Sequence, residues 1–280
     1  MSKFLIVDGH NLLFQMFYGM PSRIINSKGK AIQGTLGFVG ALLKIIRTTS
    51  PTHVVVLFDG ECQNVRVEMD SSYKANRPDY NEMEWDDVPF SQLPDIYSAL
   101  DYLGIKHIEM TNCESDDVIA SYALTLGGEH QVIISSFDSD FFQLINDNVS
   151  ILRYRGDNSV ISDREYMRQK FGIEPEMYAH FKSLTGDNAD NIKGLDKIGP
   201  KTAALLVNEY GRIDEIIANA DKISKPSIRR SVCDGAERLK LNYALIKLTD
   251  SAELPFLPYE LEYSPKNVTT NQVLSAIGVK

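Results

Sequence analysis

A chain of 280 residues and 31.4 kDa is long enough for one large domain or two smaller ones. With 43% hydrophobic and 24% charged residues its composition is that of an ordinary soluble globular protein, and no apolar run approaches the roughly 18 residues of a membrane span. The net charge of −9 by itself argues against a nucleic-acid partner, yet nine clustered carboxylates account for all of it and the remainder is balanced, which leaves room for basic patches elsewhere.

Taken in chain order, the first half alternates strand and helix signals. Met1-Ser2-Lys3 leads straight into a strand, Lys3–Val7, rather than into a signal peptide, which makes the cytoplasm the expected location. Asn11–Tyr18 reads as a short helix. Gly34–Thr48 is amphipathic, with Leu36, Phe38, Val39, Leu42, Leu43 and Ile46 spaced for one face. Strand His53–Phe58, helix Ser91–Leu103, strand Ile105–Glu109, helix Ser115–Leu126 and strand Gln131–Ser135 follow. Phe141–Ile145 looks like a short helix and Val149–Tyr154 like another strand. Strands separated by helices predict an α/β fold with a mainly parallel sheet covered on both faces.

Between Asp59 and Phe90 the pattern breaks into a polar stretch holding Pro78, Pro89 and the single Trp85. A loop of this length inside a compact domain is usually functional or mobile. From Ser162 the signals turn helical: Ser162–Phe171, Pro175–Leu184, Pro200–Tyr210, Ile213–Ala220 and Ala236–Leu248. The shift divides the chain near 165, into residues 1–165 and 166–280. The three cysteines, Cys62, Cys113 and Cys233, are odd in number and far apart, so no zinc site or disulfide framework follows from them.

The nine carboxylates are Asp8; Asp59; Glu114, Asp116 and Asp117; Asp138 and Asp140; Asp187 and Asp190. Asp8, Asp59 and Asp138 come where apolar strand-like runs stop. In open α/β sheets ligands bind beyond the carboxyl ends of the strands, so these residues would converge. At ~5 Å separation and an effective dielectric of ~20, each like-charged pair costs roughly 3 kcal/mol, which a multivalent cation would offset. Oxygen ligands alone suit Mg²⁺, Mn²⁺ or Ca²⁺ rather than zinc. Glu114-Ser115-Asp116-Asp117 could instead cap a helix, but one cap needs one such residue. Asp138-Ser139-Asp140 could be a turn, although its place after a buried strand favours ligation. Asp187 and Asp190 would share a face on a helical turn and hold an ion together.

Gly194-Leu195-Asp196-Lys197-Ile198-Gly199-Pro200-Lys201-Thr202 reads as a glycine hairpin feeding a helix that Pro200 opens. Such a terminus presents backbone N–H groups to a phosphate. A Walker A loop needs Lys directly after the second glycine, where Pro200 stands. The hairpin therefore reads as a sequence-independent grip on a DNA backbone. Tyr73-Lys74-Ala75-Asn76-Arg77 is either solvated surface or a single-strand channel of charge and ring. His10, His53, His107, His130 and His180 are scattered, and covalent catalysis has no support.

Together these residues resemble the flap endonuclease / 5′-nuclease family, nearest to the 5′–3′ exonuclease domain of bacterial DNA polymerase I and its stand-alone relatives. The likeness rests on Val7-Asp8-Gly9, Phe58-Asp59, Tyr73 to Arg77, Glu114-Ser115-Asp116-Asp117, Asp138-Ser139-Asp140, Gly186-Asp187 with Asp190-Asn191, and the hairpin through Lys201. No polymerase segment follows Lys280.

The resemblance implies a PIN-like nuclease core, a helical arch over residues 61–90, and a helix–three-turn–helix element after about 165 that holds K⁺ or Na⁺ in relatives. It implies that Asp8, Asp59, Glu114, Asp116 and Asp138 serve a first Mg²⁺ or Mn²⁺, and Asp140, Asp187 and Asp190 a second, with Asp117 in the shared set. It further implies that Lys74 and Arg77 reach the scissile phosphate beside Tyr73, and that Gly194, Ile198, Gly199, Lys201 and Thr202 contact DNA. Two departures stand out. Phe137 replaces a small or hydroxylated residue, and Asp79, Glu82, Glu84, Asp86 and Asp87 make the segment after Arg77 acidic, which bears on single-strand threading.

The expected function is a metal-dependent, monomeric 5′ nuclease of flaps, 5′ overhangs and nicks in DNA, with no membrane partner. A non-catalytic DNA-junction module would not need all nine carboxylates. A PIN-type ribonuclease would not need the hairpin.

Overall fold

In the computed structural model, residues 1–60, 65–80 and 83–280 are described. Cys62 and Glu82 lie outside the described residues. Among the latter, five parallel strands, β1 (Lys3–Asp8), β2 (His53–Asp59), β3 (Lys106–Met110), β4 (Gln131–Ser135) and β5 (Val149–Arg153), form a sheet with one antiparallel edge strand, β6 (Val160–Ser162). The order is β3-β2-β1-β4-β5-β6. The chain thus leaves β1 toward one edge and returns to its other side at β4.

Helices α1 (Gly9–Gly19), α2 (Gln33–Thr49), α3 (Val65–Met69), α4 (Leu93–Leu103) and α5 (Ser115–Leu126) connect these strands, and α6 (Arg164–Phe171) follows them. Side chains alternate across each strand. Leu5, Val7, Val54, Val56 and Phe58 therefore pack together on one face, with Leu13 of α1, Leu42 of α2 and Ile96 of α4. Ile6, Val55, Leu57 and Ile134 pack on the other with Ile119 and Tyr122 of α5. Fully burying each such side chain is worth roughly 1.5–3 kcal/mol, which is why both faces must be covered.

The rest is helical: α7 (Tyr178–Thr185), a two-stranded hairpin β7 (Gly186–Asp187) and β8 (Ile192–Lys193), then α8 (Pro200–Tyr210), α9 (Ile213–Ala218), α10 (Pro226–Asp234), α11 (Ala236–Ile246) and α12 (Thr270–Ala276). It does not form a separate core. The apolar cluster on the α5 face runs on through Phe142, Tyr178, Phe181, Ile198 and Leu239, so sheet and helices share one interior.

The structure departs from the sequence expectations in particular places. The Asp140–Leu144 turn is 3-10 in character, and Pro175 opens a 3-10 turn before α7. Strand β6, helices α10 and α12, and the β7–β8 hairpin carry no sequence expectation. The hairpin also corrects the helical turn expected for Asp187 and Asp190: Asp187 ends β7 and Asp190 lies in the turn that follows. The described part of the arch consists of α3 and short turns. Its acidic stretch is partly neutralised, since Arg23 lies 2.6 Å from Asp87 and 4.0 Å from Asp86.

Candidate active site

The strand order reverses at β1, and the crevice at such a reversal is where this kind of sheet binds ligands. Asp8 ends β1 there and caps α1: its Oδ1 accepts the Asn11 N–H at 3.0 Å and its Oδ2 the Ser136 hydroxyl at 2.8 Å. Burial pushes its carboxyl up to about 7, against the Asn11 hydrogen bond and aided by repulsion from Asp59 and Asp138. Asp59 ends β2 on the neighbouring strand. Burial pushes its carboxyl up too, but His10 and the Ser115 N–H, 2.8 Å from Oδ1, outweigh that and hold it below the usual range.

The Ser115 bond settles what the acids at the start of α5 do. Glu114 is the N-cap residue but makes no side-chain cap. Its carboxylate pairs with Arg66 and, at 2.6 Å, with Lys74. Asp116 turns toward the crevice, where burial and then Asp59, Asp138 and Asp8 push its carboxyl well above the ordinary value. Successive helical residues lie about 100° apart, so Asp117 cannot follow it. Instead Asp117 takes Arg66 through 2.9 and 2.8 Å bonds and the Thr249 N–H at 2.9 Å. That corrects its place in the shared metal set. Arg66, which the sequence reading passed over, ties α3 to α5 and donates to the Leu245 carbonyl at 3.0 Å.

Asp138 joins two groups, since its charge raises the carboxyls of Asp8 and Asp116 on one side and of Asp140 and Asp190 on the other. On that second side Asp140, Asp187 and Asp190 offer ligand oxygens that all lie within 4.8 Å of one another. Burial, with Asp138 and Asp187, pushes Asp140 up to about 7 against the pull of Lys182. Lys182 is a second residue that sequence reasoning missed. It contacts Asp140 and lies 2.5 Å from Asp187. A basic residue five places before Asp187 was the available signal.

The base of the arch sits on these carboxylates. The Lys74 N–H donates to the Asp190 carbonyl at 3.0 Å, Asn76 to Asn188 at 3.0 Å and Asn191 to Ser72 at 2.8 Å. These bonds hold Lys74 at φ 58°, an uncommon backbone state for a residue with a side chain. Arg77 reaches Asp190 at 3.0 Å. Tyr73 is placed otherwise than expected for a stacking ring: it is buried with Ala179, Ile192, Leu245 and Ile246. Phe137 has the Arg153 and Arg155 guanidinium groups 5.1 and 5.0 Å from its ring centre.

The glycine hairpin lies in the helical part. Ile198 is buried, whereas Gly199 and Lys201 are exposed. Gly194 is required by packing, because a Cβ there would stand 2.3 Å from the Thr185 carbonyl. Gly199 is not: its φ is −89° and a Cβ would meet nothing within 4 Å. As N-cap of α8 it brings no capping side chain and leaves the first turn open to an anion. Beside the turn a groove of about 800 Å³ is lined by Lys193, Lys197, Arg230 and Arg238 among others.

Both acidic groups are made of oxygen donors alone, and the second is narrow enough for one ion to touch all three of its carboxylates. That donor set fits Mg²⁺ or Mn²⁺.

Residues 3–172 match the model of the 5′-3′ exonuclease N-terminal resolvase-like domain, and residues 173–269 that of the 5′-3′ exonuclease C-terminal SAM fold. The chain belongs to the 5′–3′ exonuclease family. More particularly, it is 32% identical over 275 residues to the thermostable DNA polymerase I of Thermus aquaticus, covering 98% of this chain and 31% of that one. It thus spans about a third of the length of that polymerase. It is 30% identical over 263 residues to a 5′-3′ exonuclease of Aquifex aeolicus, covering 94% of this chain and 87% of the relative. In fold it is similar to the T5 D15 protein co-crystallised with metal ions, with TM-score 0.70, 24% identity and 88% and 89% of the two chains covered. The catalytic core of Rad2 in complex with DNA is similar at TM-score 0.61, with 15% identity over 100% and 88% of the chains.

Proposed function

We propose that the chain is a divalent-metal-dependent 5′ nuclease that hydrolyses phosphodiesters at 5′ flaps, 5′ overhangs and nicks in DNA, acting as a monomer in the cytoplasm. No helix among the described residues is long and apolar enough to cross a membrane. The observation that carries the reading is the double acidic centre at the strand reversal, with Asp138 between its halves.

Asp8, Asp59, Glu114, Asp116 and Asp138 would hold one Mg²⁺ or Mn²⁺, directly or through water, and Asp140, Asp187 and Asp190 a second. Ions so held supply water activation and neutralisation of the leaving oxygen. The protein's own groups do the rest. Lys74 and Arg77, anchored at the carboxylates by the arch base, place positive charge where the phosphate becomes more negative. Glu114 orients Lys74. The open first turn of α8 and the exposed Lys201 hold the duplex backbone without reading bases. A K⁺ or Na⁺ would bind in this helical part.

The reading is tested with end-labelled 5′-flap, overhang and nicked DNA and a flap RNA of the same sequence, in MgCl₂ or EDTA. Mg²⁺-dependent release of the DNA flap with the RNA intact is the expected result. Preferred cleavage of the RNA would favour a PIN-type ribonuclease, and binding without cleavage a junction module.

A further inference from the structure

Against helix α1, beside the acidic crevice, lies a pocket of about 270 Å³ lined by Asn11, Phe14, Gln15, Phe137 and Arg155. It shares its framework with the carboxylates. Asn11 donates its N–H to Asp8 Oδ1 at 3.0 Å and accepts the Phe137 N–H on its side-chain oxygen at 2.9 Å, and Asp138 follows Phe137 directly. A nucleotide whose phosphate lay at Asp8 and Asp138 would have this pocket beside it.

The walls suit a flat ring. Phe14 and Phe137 are half-buried, so each keeps part of its ring at the surface. Arg153 packs Phe137 toward the interior, since its guanidinium also lies 5.8 Å from the ring centre of the buried Phe142. The Arg155 guanidinium, 5.0 Å from Phe137, is therefore not needed to hold that ring. Arg155 is exposed, and Asp157, the acid nearest to it in sequence, is taken by Lys44 at 2.7 Å. Among the described residues no carboxylate pairs with Arg155. Gln15 donates to the Tyr154 carbonyl at 2.6 Å and so fixes the backbone next to it. A half-exposed ring beside an unpaired guanidinium is a surface on which nucleobases stack. The Asn11 amide hydrogens and the Gln15 side-chain oxygen are left over from their bonds, a donor and an acceptor for the edge of a base.

We propose that Phe137 and Arg155 form a seat for one nucleobase next to the acidic crevice. The base of a nucleotide adjoining the scissile phosphate lies against the Phe137 ring and the Arg155 guanidinium, and this stacking selects the phosphodiester that enters the crevice. The inference rests on the crevice being the nuclease centre. The seat tolerates any sequence, because every base has a face to stack. It differs from the glycine hairpin in holding a base rather than a backbone.

The test uses the full chain and 5′-flap DNA in which a tetrahydrofuran replaces one base, placed in turn on each side of the cut and several nucleotides away. In wild type, losing the base at one position beside the cut should lower kcat/KM by about tenfold. The distant loss should stay within about twofold. Phe137→Ser and Arg155→Ala should cleave the intact flap more slowly and be indifferent to the missing base. Phe137→Trp should keep the wild-type pattern. An unchanged half-saturating Mg²⁺ concentration in Phe137→Ser separates loss of the seat from damage to Asp138. If that concentration shifts, or the variant misfolds by circular dichroism, Arg155→Ala decides, as it adjoins no carboxylate of the crevice. A base-loss penalty of equal size in wild type and the variants overturns the inference, and so does a wild type without any penalty beside the cut. A wild-type chain that binds flaps without cutting them overturns the nuclease reading instead. The seat is then read from 2-aminopurine at the same positions, whose emission in the complex should differ between wild type and Arg155→Ala; equal emission overturns the seat.

Discussion

The Ser136 hydroxyl donates to Asp8 Oδ2 at 2.8 Å, and its oxygen accepts the Asp138 N–H at 3.0 Å. One small side chain thus ties the Asp8 carboxylate at the end of β1 to the backbone that carries Asp138 after the neighbouring β4. The proposed duplex grip lies elsewhere, in the helical part. Asp8→Asn and Asp138→Asn are therefore expected to lower cleavage by roughly a thousandfold or more while flap affinity stays within a few-fold, since they remove charge used only in the chemistry. Single-turnover assays beside filter binding decide it, and wild-type turnover in either variant would refute the assignment.

Lys74 is held by its neighbours' backbone and lies against a carboxylate of the centre, a placement suited to the transition state more than to general affinity. Lys74→Ala should reduce the single-turnover rate by about 10²–10³ with a much smaller change in Kd. Lost affinity at an unchanged rate would make Lys74 a simple phosphate contact.

Burial pushes Asp8 and Asp140 up to about 7. A raised carboxyl favours folding fully below its unfolded value of about 4, and that contribution is lost as pH rises through the folded value. Asp59, held low, acts in the other window and costs stability only as pH falls below its ordinary value. Without divalent ions the Tm should therefore fall between pH 5 and pH 8, by on the order of 5 °C. MgCl₂ should restore it at pH 8 and have little effect at pH 5, where protons compete for the same oxygens. Scanning calorimetry in EDTA and in MgCl₂ checks both signs; a Tm that climbs with pH in EDTA would contradict the effect of burial on these two carboxyls.

At the hairpin the open space around Gly199 changes what substitution should do. Gly199→Ala introduces no backbone strain, so Tm should shift by only about 2 °C, yet flap binding should weaken because a methyl group stands where a phosphate approaches. Lys201→Ala should weaken binding equally for all sequences and lower the salt slope by about one unit. Affinity measured against KCl concentration separates these effects, and an unchanged slope for Lys201→Ala removes the lysine from the grip.

The sheet was legible because strands buried on both faces leave long apolar runs, as at Val54–Phe58, and because acids stood where those runs ended. What escaped has physical reasons. The edge strand β6 leaves Val160 and Ile161 exposed, so no face pattern marks it. Helix α10 buries only Ile228 and Val232, and β7 and β8 are two residues each, too short for any period. At the site the strand-end acids were found, but their partners were not. Arg66 answers a carboxylate 51 residues away and Lys182 one 42 residues away, pairings that leave no local trace; only the second contact of Lys182, to Asp187 five places on, was there to be read. Tyr73 and Asp117 misled for the same reason: residue type suggested a ring for stacking and a ligand, while tertiary contacts used both for packing and anchoring.

The single interior running from the sheet through Phe142 and Tyr178 to Ile198 makes the molecule a gauge. The hairpin proposed to seat the duplex and the crevice proposed to cut it are separated by packed protein, not by a hinge. On that proposal the scissile bond would be chosen by counting nucleotides from the seat, and lengthening the displaced strand should leave the position of the cut where it was.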